Sequence, residues 1–155
     1  MTKRSYIYLV LSLLMTSLIW FNSSLNAELS SIQSGFITGL IDDILKTFRI
    51  EVSSENLSFI IRKGAHFGQF FILGALWFKT FDEMKKPHIK PWVSALGIGV
   101  ITAIIDESIQ LYTPGRAFMV FDIIIDTLGL IAGILGVILI KQILLNRKKT
   151  GRHIE

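Results

Sequence analysis

Residues 106–126, DESIQLYTPGRAFMVFDIIID, decide how the rest of the chain is read. On either side lies a run apolar enough to enter a membrane, yet this stretch carries Asp106, Glu107, Gln110, Arg116, Asp122 and Asp126. An ionised side chain inside a bilayer is costly, so a concentration of them marks mutual pairing or function. Pro114 and Gly115 supply a tight turn. That turn folds the flanking runs into a hairpin, bringing Asp106 near Asp122 with Arg116 at the mouth.

Working outward, four apolar segments stand out: Tyr6–Phe21, Phe59–Phe81, Pro91–Leu111 and Phe118–Ile140. A helix of about 20 residues crosses a hydrocarbon core of about 30 Å. The pattern predicts an all-α integral membrane protein, a four-helix transmembrane bundle forming a single membrane domain over residues 1–155. Composition agrees, with 51% hydrophobic residues, only 18% charged and a mean hydropathy of +0.56. Cysteine is absent, which excludes disulfides, thiolate metal ligands and a cysteine nucleophile. The net charge of +4 is gathered near the ends of apolar runs, as topology signals are, so no nucleic-acid partner is expected. Lys3 and Arg4 ahead of the first run also resemble the start of a signal peptide. Leu25, two before Ala27, makes a poor cleavage site, and the segment is read as a retained helix.

Lysine and arginine counts set the orientation. Lys3 and Arg4, then Lys79, Lys85, Lys86 and Lys90, then Lys141, Arg147, Lys148, Lys149 and Arg152 fall on one side, so both termini are expected in the cytoplasm. The loop from Asn22 to Asn56 has mixed charge, including Glu51, and suits the outside. Within it, residues 31–48 place Ile32, Phe36, Leu40, Ile44 and Phe48 on one helical face and Ser34, Thr38, Asp42 and Lys46 on the other. This predicts an extracytoplasmic amphipathic helix, lying on the outer interface or packed on the bundle as a lid.

Numbering each helix from its cytoplasmic end places Arg62, Lys63 and His66, then Asp106, Glu107 and Gln110, then Asp122 and Asp126 in one outer shell. Arg62 and His66 are four apart, as are Asp106 and Gln110, and Asp122 and Asp126. Each of three helices therefore offers one polar face. Blander readings compete. Arg62 and Lys63 can snorkel to head groups, His66 can be a packing residue, and the carboxylates can pair with Arg62 and Arg116 to fix register. Gly64 with Gly68, and Gly129 with Gly133, read as small-residue helix contacts. His66 with the four acids would suit a divalent ion, but no HExxH or similar ligand motif occurs, so neither metal nor other cofactor is expected.

At these residues the chain resembles the VanZ-like family. Its K-x-x-H-F signature reads Lys63-Gly64-Ala65-His66-Phe67, and its D-E-x-x-Q reads Asp106-Glu107-Ser108-Ile109-Gln110. Pro114-Gly115-Arg116 follows, and then Asp122 to Gly129 match D-x-x-x-N-x-x-G except that Asp126 replaces the usual Asn. Gln69 and Phe70 stand where Glu and Tyr are common. The signature region spans residues 58–140. The resemblance implies a multi-pass protein of the bacterial cell membrane and a role beside glycopeptide resistance of the teicoplanin type. The founding member is an accessory factor there, outside the enzymes that rebuild the wall precursor.

Two functional classes remain open. In a binding protein, Arg62, Lys63 and Arg116 would meet the phosphate or carboxylate of a membrane lipid, a lipid-linked wall precursor or a lipoglycopeptide, with His66, Asp106, Glu107, Gln110, Asp122 and Asp126 completing the site. In an intramembrane hydrolase or transferase, His66, Asp106 or Glu107 would be the catalytic candidate. A proton-coupled transporter is disfavoured because the inner half of the last segment, LGLIAGILGVILI, is dry.

Overall fold

The computed structural model describes residues 2–50, 52–84 and 89–151. Glu51, Lys85, Lys86 and Arg152, which enter the charge count, lie outside the described residues, as do the side chains of Ser34, Lys148 and Lys149. Five helices follow in order: α1 Lys3–Ser24, α2 Ala27–Thr47, α3 Ser54–Met84, α4 Pro91–Tyr112 and α5 Val120–Gly151. No strand occurs among the described residues.

Local signals set the ends. The Thr2 hydroxyl accepts from the Ser5 amide at 3.1 Å, the Asn26 side chain accepts from the Leu29 amide at 2.9 Å, and Pro91 opens α4. Between α4 and α5 the Arg116 amide donates to the Thr113 carbonyl at 3.1 Å. Pro114 and Gly115 occupy the middle of that turn, and Gly115 has φ +77°, the combination a type II turn requires.

Side-chain contacts fix direction. Ser23 near the end of α1 meets Asp106 near the end of α4, while Lys63 early in α3 meets Asp122 early in α5. At the far end Lys141 of α5 reaches Asp82 of α3 at 2.7 Å. Thus α1 and α4 run one way, and α3 and α5 run the other.

Among the described residues three helices are long and apolar enough to cross a membrane: α1, α4 and residues 120–147 of α5. The expected fourth span, α3, falls outside that set. Arg62, Lys63, His66, Gln69 and Lys79 interrupt its apolar run. Its position explains why it can carry them. α3 touches each of the other four helices and buries Phe70, Leu73, Trp77 and Phe78 at the centre of the core. The outer helices instead turn leucine and isoleucine outward, among them Leu14, Ile101, Ile104, Leu135 and Leu139. α1 buries Ser5, Ser12, Thr16, Ile19 and Ser23, so its inward stripe is mostly small and hydroxylated. Small residues inside and branched aliphatics outside is the arrangement expected of helices whose solvent is lipid.

Glycine draws α3 and α5 together. A Cβ on Gly133 would sit 2.0 Å from the Phe71 carbonyl oxygen, one on Gly129 would sit 2.5 Å from that of Phe67, and one on Gly74 would sit 2.4 Å from that of Leu130. Gly64 and Gly68 differ from the sequence expectation. Open space surrounds both, so they make no close helix contact.

The amphipathic helix expected at residues 31–48 is α2. Its apolar face points outward, with Phe36 77% exposed and Phe48 72% exposed, while Thr38 is buried. A lid held by its apolar face would show the reverse. The start of α2 packs on the α4–α5 turn, where the Ala27 amide donates to the Pro114 carbonyl at 3.2 Å.

Candidate functional site

The polar residues of α3, α4 and α5 do converge, together with the end of α1. Lys63 is buried and paired with Asp122, which is buried too. Its ammonium also lies 5.1 Å from the Phe59 ring centre and 5.9 Å from that of Phe121. The snorkelling expectation for Lys63 therefore fails: its ammonium turns inward to a buried carboxylate.

Asp106 and Glu107 are both fully buried. Asp106 accepts from the Ser23 hydroxyl through Oδ1 and from Gln110 Nε2 through Oδ2, the latter at 3.1 Å. Gln110 also reaches the Ser23 hydroxyl at 3.5 Å. Thr113 donates to the Ser23 carbonyl at 3.0 Å, which ties α1 to the end of α4. Glu107 turns the other way. Its Oε2 accepts from the Met119 amide at 2.7 Å, so it braces the segment leading into α5, and its Oε1 has no partner.

Asp126 is fully buried, and neither of its oxygens has a hydrogen-bond partner. His66 Nδ1 approaches Asp126 Oδ1 at 3.4 Å, too far for a well-formed hydrogen bond. His66, Asp106 and Asp126 each offer one ligand atom, all within 4.8 Å of one another.

Arg62 and Arg116 occupy different ground. Neither forms an ion pair among the described residues, so the expectation that the acids pair with these arginines gives way to Lys63–Asp122 and His66–Asp126. Both line a cavity of ≈ 650 Å³ with His66, Gln110 and Asp122, and a second of ≈ 230 Å³ with Ser23, His66 and Gln69. Ser30 and Gly35 of α2 contribute to the first wall and Ser30 and Ile37 to the second, so α2 borders the opening. Burial lowers the Arg116 guanidinium below its usual range, and nearby Arg62 adds to this while Asp106 and Glu107 oppose it. A guanidinium remains charged even so.

Sequence reasoning missed Ser23. A hydroxyl at the end of an apolar run is ordinary there, and only its partner 83 positions later gives it meaning. The α1 stripe of Ser5, Ser12 and Thr16 carried a faint signal, since hydroxyls repeated on one face of an apolar helix mark its protein-facing side.

A buried charge cluster bounded by apolar helices is what the signature residues build. The VanZ/LLP1 family model matches residues 8–141.

This chain belongs to the VanZ/LLP1 family.

The match reaches beyond the signature region at residues 58–140 to include α2 and most of α1, so Ser23 lies inside it. No curated protein and no solved structure matches the chain. With its three apolar helices, it is a VanZ-family protein of membrane type.

Proposed function

We propose that this VanZ-family protein crosses the bacterial cell membrane four times, with α3 as the fourth span and both termini in the cytoplasm. In this reading the cavity bordered by Arg62 and Arg116 faces the outer leaflet and binds an amphiphile whose head group bears phosphate or carboxylate. The observation that carries it is the pair of guanidiniums, both without an ion pair among the described residues, beside a cavity of ≈ 650 Å³. Arginine without a partner is suited to bidentate recognition of such anions. The outward apolar face of α2 supports an interfacial placement, where it would border a path from the lipid. Outer-leaflet lipids, lipid-linked wall precursors and lipoglycopeptides share this chemistry. Binding one of them is how the protein would contribute to glycopeptide resistance.

The test uses cells making Arg116→Lys or Asp106→Asn, with membrane abundance and teicoplanin susceptibility measured together. Arg116→Lys keeps the charge and loses the planar fork. Normal abundance with lost protection is expected, and full protection in both variants would refute the reading. Topology is tested separately on the cysteine-free chain. Single cysteines at positions 25, 86 and 151 are expected to react with an impermeant reagent from outside only at position 25.

A second reading has one observation in its favour. His66 lines both cavities with the Asp126 carboxylate behind it, the arrangement of a general base and the group that orients it. An intramembrane hydrolase or transferase would use it on a lipid-linked substrate. Turnover of such a substrate by wild type and its loss in His66→Gln would select this reading.

A further inference from the structure

Asp126 is the least satisfied carboxylate in the described part of the molecule. It is fully buried, and both oxygens lack a hydrogen-bond donor. Lys63 is committed to Asp122 and forms no ion pair with it. The nearest cation-capable group is His66, whose Nδ1 stands 3.4 Å away and is itself without a hydrogen-bond partner. Leaving such groups buried and unmatched is costly.

The same distance has another meaning. Two ligands each about 2.1 Å from a shared tetrahedral ion are separated by about 3.4 Å. Asp106 supplies the third donor, within 4.8 Å of the other two. Its carboxylate is already oriented by Ser23 on one oxygen and Gln110 on the other, and each oxygen keeps a lone pair. Hydrogen bonds of this kind hold ligands in place around metal ions.

We infer that His66, Asp106 and Asp126 hold a divalent transition-metal ion of the Mn²⁺ or Zn²⁺ type in the wall of the cavity. One imidazole and two carboxylates form a mixed donor set. All-oxygen sites favour Ca²⁺ and Mg²⁺, and thiolate sites favour softer ions. Because the three ligands come from α3, α4 and α5, no linear motif announces them; the sequence offered His66 and four acids as donor types but not which of them meet. His66 also lines the cavity that holds Arg62 and Arg116. The inference does not depend on the proposed ligand. The arginines can bind an anion with no ion present, and the ion can bind with no anion.

The experiment uses the untagged full-length protein in detergent, stripped with a chelator, loaded with Mn²⁺ alone and freed of excess. About one Mn²⁺ per chain is expected to remain, and Zn²⁺ is expected to displace it where Ca²⁺ does not. Asp126→Asn is nearly isosteric and should weaken Mn²⁺ binding by more than about tenfold while helicity stays unchanged. Equal binding in wild type and Asp126→Asn, or no retained Mn²⁺ or Zn²⁺ in wild type, would overturn the inference. A second readout survives a variant that fails to fold. In protein carrying His88→Gln and His153→Gln, His66 is the sole histidine. Pulsed electron paramagnetic resonance should then show imidazole nitrogen coupled to bound Mn²⁺, and absence of that coupling would overturn the inference.

Discussion

Along α3, the turn at Gly74 and the turn at Lys63 belong to one helix but are packed by different physics. At Gly74 the contact is steric. Leu130 and Gly133 of α5 approach the α3 backbone, and Phe70, Leu73 and Trp77 fill the surrounding core. At Lys63 the contact is electrostatic, with Asp122 and two aromatic rings around an ammonium. The steric end tolerates no added atom, while the polar end tolerates cavities and keeps polar atoms without partners. A helix bundle needs the first kind of packing to persist. The second kind needs a purpose, since it sacrifices stability.

The sharpest way to break this contrast is to remove one charge. Lys63→Ala leaves Asp122 buried and unpaired and should destabilise the protein by about 3–5 kcal/mol. Lys63→Leu combined with Asp122→Leu should recover most of that loss, because the pair carries a desolvation cost of its own. Unfolding of detergent-solubilised protein followed by circular dichroism measures both. If the double variant is as unstable as Lys63→Ala, the polar end depends on this ion pair as rigidly as the other end depends on shape.

The steric end is tested with one methyl group. Gly133→Ala places a Cβ against the Phe71 carbonyl and should cost about 3 kcal/mol. Gly64→Ala meets open space and should gain up to about 1 kcal/mol from helix propensity. The same unfolding assay compares the two, and equal effects would mean that the close approach of α3 and α5 is not what holds them together. A smaller effect is expected at the far surface. Lys141→Ala removes a partly exposed pair with Asp82 and should change stability by less than about 1 kcal/mol.

Much of this contrast was legible in the sequence, and the rest was not, for physical reasons. The hairpin at Pro114 and Gly115 was readable because few residues satisfy that turn. The polar faces were readable because i,i+4 spacing survives any packing arrangement. Gly64 and Gly68 misled because a small-residue spacing says nothing about which face meets a neighbour; Gly129 and Gly133 have the same spacing and do meet one. Pairing choices were hidden as well. Lys63 and Arg62 are adjacent in sequence, and only the rotation of α3 decides that Lys63 turns inward to Asp122 while Arg62 reaches the cavity. Ser23 was hidden because its role exists only between helices.

The proposed binding of an anionic head group at the polar end runs through Arg62 and Arg116. Neither arginine has an ion pair to lose among the described residues, so Arg62→Gln with Arg116→Gln should shift stability by only about 0.5 kcal/mol. The direct measurement is native mass spectrometry of wild type and this double variant, each released from micelles containing phosphatidic acid and phosphatidylcholine. Wild type should retain phosphatidic acid over phosphatidylcholine, and the double variant should retain it at least about tenfold less. Equal retention of phosphatidic acid by the two proteins would contradict head-group binding by Arg62 and Arg116.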